Sequence, residues 1–76
     1  MDGMDRERLA RIGRVIFGSN WQTALAIEMG VNPRTVRGWV SGRSSVPEDV
    51  PEVYYRLLHE KIAHASAALH EVSIAA

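Results

Sequence analysis

An all-α chain of four to five helices is predicted by three observations. Apolar residues recur at three- and four-residue steps through most of the sequence. A Gly30-Val31-Asn32-Pro33 junction separates two short helical patterns, and one apolar stripe runs through the last third.

The first helix spans Met4 to Phe17, where Leu9, Ile12, Ile16 and Phe17 gather on one side, Gly13 permits close packing and Arg8, Arg11 and Arg14 point away. Gly18 and Ser19 break that pattern. The next helix covers Trp21 to Met29, with Ala24, Leu25, Ala26 and Met29 at helical spacing. Ser19 and Gln22 fit a capping box, so a start near Ser19 or Asn20 is expected. Gly30 follows the last periodic residue, where a left-handed backbone ends a helix without the cost of a side chain.

Asn32 and Pro33 then open a third helix. The Asn side-chain oxygen can accept from an otherwise unpaired backbone N–H, and Pro suits the first helical position because its missing N–H had no partner there. Val36, Trp39 and Val40 share one face; Arg34, Arg37, Gly38 and Ser41 share the other. Gly42 is the stop signal, with Arg43 just beyond it. Nine residues make a helix of roughly 13 Å, comparable with a DNA major groove about 12 Å wide.

Arg43 to Pro47 forms a Ser-rich link, and Pro47 and Pro51 bracket a turn or a single helical turn. From Pro51 to Val72, the residues Tyr54, Leu58, Ile62, Ala65, Leu69 and Val72 follow a heptad, while Arg56, His59, Glu60 and His70 take the opposite arc. Such a helix runs about 33 Å, longer than a small three-helix core requires. Its distal half needs a cover, and the same helix of a second subunit is the natural one.

Gln22, Ala26, Gly30, Val31, Val36 and Trp39, with the tail Trp39-Val40-Ser41-Gly42-Arg43 as W-x-x-G-R, resemble the lambda-repressor-like helix-turn-helix family of Cro and XRE type. The resemblance is strong over the motif, 22–41, and rests on pattern alone in the flanking helices. It implies a homodimer binding double-stranded DNA. Arg34, Arg37, Gly38 and Ser41 would form the base-reading face, and Gln22, Asn32, Thr35 and Arg43 would meet the DNA backbone. For Arg34 the alternative is a solvated surface arginine, for Arg37 a phosphate contact, and for the backbone set helix capping or plain exposure. At Gly38 many relatives carry a long polar or basic side chain; here the glycine either lets the helix approach the bases closely or is simply an exposed site. Small members include phage repressors, antitoxins and regulators of anti-defence operons. The implied activity is repression by promoter occlusion, with autorepression the simplest control because no small-molecule effector domain is expected.

Composition bounds the other classes. The chain has 76 residues, 46% hydrophobic, no Cys and formal net charge zero. With no apolar run long enough to cross a membrane and no secretory pattern at the amino end, a single soluble, cytoplasmic domain is expected. Charge is polarised: residues 1–47 carry seven Arg against four carboxylates, a balance of +3, and residues 48–76 carry two basic groups against five acidic, a balance of −3. Eight of the nine basic residues are Arg, the side chain suited to bidentate phosphate or guanine contact. His59, His64 and His70 lie five and six apart rather than at the i, i+4 spacing of a helical metal pair, so no metal or cofactor is expected. No nucleophile–base pair, phosphate-cradling loop or carboxylate pair argues for an enzyme. Trp39 is phased with the core; Trp21 covers a helix start or touches a backbone. The competing class is a protein-interaction module, such as an antitoxin, whose acidic C-terminal helix binds a partner protein.

Overall fold

The structure is a computed structural model describing residues 4–75. It contains four helices: α1 Arg6–Phe17, α2 Trp21–Met29, α3 Pro33–Ser41 and α4 Val50–Ala75. Among the described residues there is no strand. The segment between Pro47 and Pro51 is a single turn closed by the Val50 N–H on the Pro47 carbonyl at 3.3 Å, so no fifth helix forms.

Helix boundaries follow local chemistry. Asp5 caps α1, its Oδ1 accepting from the Arg8 N–H at 2.8 Å, so the helix starts at Arg6 rather than Met4. The expected Ser19–Gln22 capping box does not form. Asn20 is the capping residue, at φ −91°, ψ 30°, and its side chain makes no capping bond. The box needs Ser19 at the cap with an extended backbone, whereas Ser19 and Asn20 lie in a turn and Asn20 takes the cap position. Gly30 closes α2 in the left-handed region at φ 71°, ψ 32°. Its N–H and that of Val31 donate to the Ile27 and Ala26 carbonyls at 3.2 and 2.9 Å, which satisfies the last turn. Asn32 Oδ1 accepts from the Arg34 N–H at 2.8 Å, and Pro33 occupies the first turn of α3. α4 begins one residue before Pro51 and runs past Val72 to Ala75.

The core comprises Leu9, Trp21, Leu25, Ala26, Val36, Trp39, Val50 and Tyr54, with Ile12, Ile16, Phe17, Met29 and Val40 packed around it. Each large aliphatic or aromatic side chain removed from water contributes about 1.5–3 kcal/mol; the core residues hold α1, α2, α3 and the root of α4 against one another. Trp21, uncertain from sequence, belongs here. It sits against Gly13: a Cβ at that glycine would fall 2.5 Å from Trp21 Cε3 and 2.8 Å from Tyr54 Oη. Gly13 therefore serves Trp21 and Tyr54 more closely than the Leu9–Phe17 cluster expected for it.

Tyr54 is the main correction to the expected dimer stripe. It is 1% exposed, and its hydroxyl donates to the Leu9 carbonyl at 2.9 Å. Burial pushes its phenol up from the ordinary value. The residue anchors α4 to α1 and has no surface left for a second subunit. Arg56, two residues on, reaches Glu28 of α2 at 3.0 Å and Glu60 of its own helix at 3.6 Å. Beyond Leu58, which is half-buried, every described residue of α4 is exposed.

Candidate nucleic-acid interface

α3 is held on three sides. Val36 and Trp39 key its inner face into the core, Asn32 caps its start, and Arg6 closes its end. Arg6 Nη1 donates to the Ser41 carbonyl at 3.2 Å, placing a cation at the negative end of the helix dipole. The same guanidinium lies against Gly42, which ends the helix at φ 83°, ψ 5°; a Cβ there would come 2.5 Å from Arg6 Nη1. Arg6 was not singled out from the sequence. A contact spanning 35 residues leaves no periodic signal.

The outer face carries Arg34 and Arg37, both exposed and, among the described residues, without a carboxylate partner. Two unpaired guanidinium forks on one short helix can make bidentate contacts with phosphate, carboxylate or a guanine edge. Ser41 lies on the same face, but its Oγ is turned back to donate to the Gly38 carbonyl at 3.2 Å. Thr35 is exposed, with its N–H bonded to the Asn32 carbonyl at 2.8 Å, and Gln22 is half-buried in the first turn of α2.

Gly38 departs from the expectation of an open glycine on a bare face. It is buried, and a Cβ built on it would meet Arg43 Nη2 at 3.2 Å and Ser44 Oγ at 3.5 Å. After Gly42 the chain turns back over α3: the Ser44 N–H donates to the Gly38 carbonyl at 3.1 Å and the Arg43 N–H to Ser41 Oγ at 3.4 Å. Arg43, expected merely beyond the helix, thus lies alongside it. A shallow cleft follows between the first turn of α1 and this turn, lined by Asp5, Arg6, Trp39, Arg43, Ser44 and Glu48.

A second surface lies on α4. Ile62 is 64% exposed, Leu69 68%, Val72 65% and Ile74 72%. Ile62, Leu69 and Val72 with exposed Ala65 form an apolar strip over the distal turns, Ile74 lies on another face, and the Tyr55 and His59 rings meet at a tilt of 57° with centroids 4.5 Å apart. Among the described residues no group of three or more His, Asp or Glu side chains could hold a metal ion, and no helix is long and apolar enough to cross a membrane.

These features define a small all-helical domain of four helices with a basic face and a long, half-uncovered final helix. Compared with protein-family models, curated proteins and solved structures, the chain matches none.

Proposed function

We propose that this chain is a sequence-specific DNA-binding regulator of the lambda-repressor-like helix-turn-helix type, acting as a homodimeric repressor at a palindromic site in its own promoter. The observation that carries this reading is the pair Arg34 and Arg37: exposed, unpaired with carboxylates among the described residues, and one turn apart on a helix braced on its inner face and at both ends. A nine-residue helix of that kind fits a major groove. The exposed apolar strip of α4 supports the dimer, since two-fold pairing would set two such helices on successive turns of one DNA face, roughly 34 Å apart.

The test is binding to DNA from the gene's own promoter, with scrambled duplex as competitor and salt varied. Arg34→Ala with Arg37→Ala is expected to lower specific affinity by roughly 100-fold, at about 1–3 kcal/mol per base contact, and to leave only weak, salt-sensitive binding. A wild type with no preference for its promoter removes autorepression; a double variant that binds as the wild type does removes α3 as the reading element.

A second reading has its own support. The same apolar strip, on a segment with net charge −3 over residues 48–76, suits a protein-interaction module such as an antitoxin, with DNA binding secondary. A toxin-sized reading frame sharing the operon favours it, and co-purification with that product as a stable complex would decide for it.

A further inference from the structure

We infer that Arg43, although it follows the helix, is a base-reading residue: it supplies from the turn the side chain that Gly38 lacks, and it reads a guanine. This rests on the DNA-binding reading above and adds a residue-level assignment to it.

The argument starts from the helix face. Arg34, Arg37, Gly38 and Ser41 fall at i, i+3, i+4 and i+7, so all four look the same way from α3. Two carry guanidinium groups, Ser41 spends its hydroxyl on the Gly38 carbonyl, and Gly38 has no side chain at all. The gap is occupied. The guanidinium of Arg43 lies over Gly38, with Nη2 3.2 Å and Nε 3.6 Å from where a Cβ would stand. Two hydrogen bonds hold the turn that delivers it, Ser44 N–H to the Gly38 carbonyl and Arg43 N–H to Ser41 Oγ. The left-handed Gly42 makes the reversal possible.

Gly38 is therefore better understood as a berth than as a vacancy. A Cβ there, 3.2 Å from Nη2, would already make the guanidinium give by a few tenths of an ångström, and a long side chain would compete with it for the same space. No carboxylate among the described residues pairs with Arg43, so its fork stays free. A third guanidinium on the face that carries Arg34 and Arg37 is placed to reach base edges rather than to sit outside the groove. The group it matches bidentately is guanine O6 and N7.

The experiment selects binding sites from a randomised double-stranded DNA library with the wild type, Arg43→Ala and Gly38→Gln, then measures affinity and salt dependence on the selected duplex. Circular dichroism confirms that each variant is folded. Arg43→Ala should lose the preference for guanine at one base pair of each half-site. It should bind the selected duplex roughly 10- to 100-fold more weakly, yet differ little from the wild type on a duplex altered at that pair. Gly38→Gln should change the preference at the same base pair, since its side chain takes the berth. Equal weakening of Arg43→Ala on all duplexes, with a salt slope reduced by about one, would make Arg43 a phosphate contact and overturn the inference while leaving the regulator intact. Changes at different base pairs, or none, overturn it too. Failure of the wild type to enrich any sequence removes the DNA-binding reading itself, and the inference with it.

Discussion

The two halves of α4 have the same backbone and opposite circumstances. Its first turns carry Val50 and Tyr54, fully enclosed, and are tied down by the Tyr54–Leu9 hydrogen bond and the Arg56–Glu28 ion pair. Its last seventeen described residues, 59–75, are all exposed, with Ile62, Leu69, Val72 and Ile74 bare to solvent. A heptad stripe alone does not tell these apart. What separates them is what faces them: the root of α4 packs on Leu9, Gly13 and Trp21, whereas the residues from 59 onward are exposed. The same residue type is thus core at one end of the helix and exposed surface at the other.

The contrast breaks most sharply at Leu9. Leu9→Ala empties a fully buried site and should cost about 3 kcal/mol, a large share of the stability of so small a domain. Ile62→Ala, in protein too dilute to associate, should change the unfolding free energy from urea titration by no more than about 0.5 kcal/mol. Equal losses would mean that the distal helix is supported within one chain.

Association is the second contrast. Ile62, Leu69 and Val72 replaced together by Gln should give a folded monomer by sedimentation and lower operator affinity on the order of 100-fold through lost bivalency, leaving the urea midpoint of the core in place. A variant that stays dimeric with full affinity would put the subunit contact elsewhere. Leu58 is better left intact in this test, because it is half-buried against the domain.

The smallest effect belongs to the root of α4. Tyr54→Phe removes the bond to the Leu9 carbonyl and should cost about 1 kcal/mol at neutral pH. Burial holds the folded phenol above its ordinary value of 10.0, so the neutral form is the one the fold requires. That contribution is fully present below about pH 10 and is lost as pH rises beyond it, when the unfolded chain ionises and the folded one resists. Stability of the wild type should therefore fall more steeply above pH 10 than that of Tyr54→Phe, which denaturation midpoints across pH 8–11 would check.

Much of this architecture was legible because it is local. Asn32-Pro33 and the glycines at 30 and 42 act through backbone preferences that a few neighbouring residues determine, and the caps and left-handed turns form where those residues stand. The phasing of Val36 and Trp39 likewise predicted which face of α3 is buried. What escaped was non-local or depended on a backbone that residue type does not set. The Arg6–Ser41 contact joins residues 35 apart, and Tyr54 looks like any other stripe position until α1 is known to lie against it. Ser19 has a capping side chain, yet the helix starts at Trp21 and puts Asn20, not Ser19, at the cap position. Gly38 could be recognised as unusual from sequence, but only the fold-back after Gly42 explains what fills its place.

The length of α4 acts mechanically as a lever. Its 26 residues extend about 39 Å, of which roughly 25 Å project beyond Leu58. At that radius each degree of rocking at the base moves the tip by about 0.4 Å, and eight degrees move it by approximately one base-pair rise of 3.4 Å. Tyr54 and Arg56 are therefore the pivot: short-range contacts at the root of α4 fix the angle that sets where its tip lies relative to α1, α2 and α3.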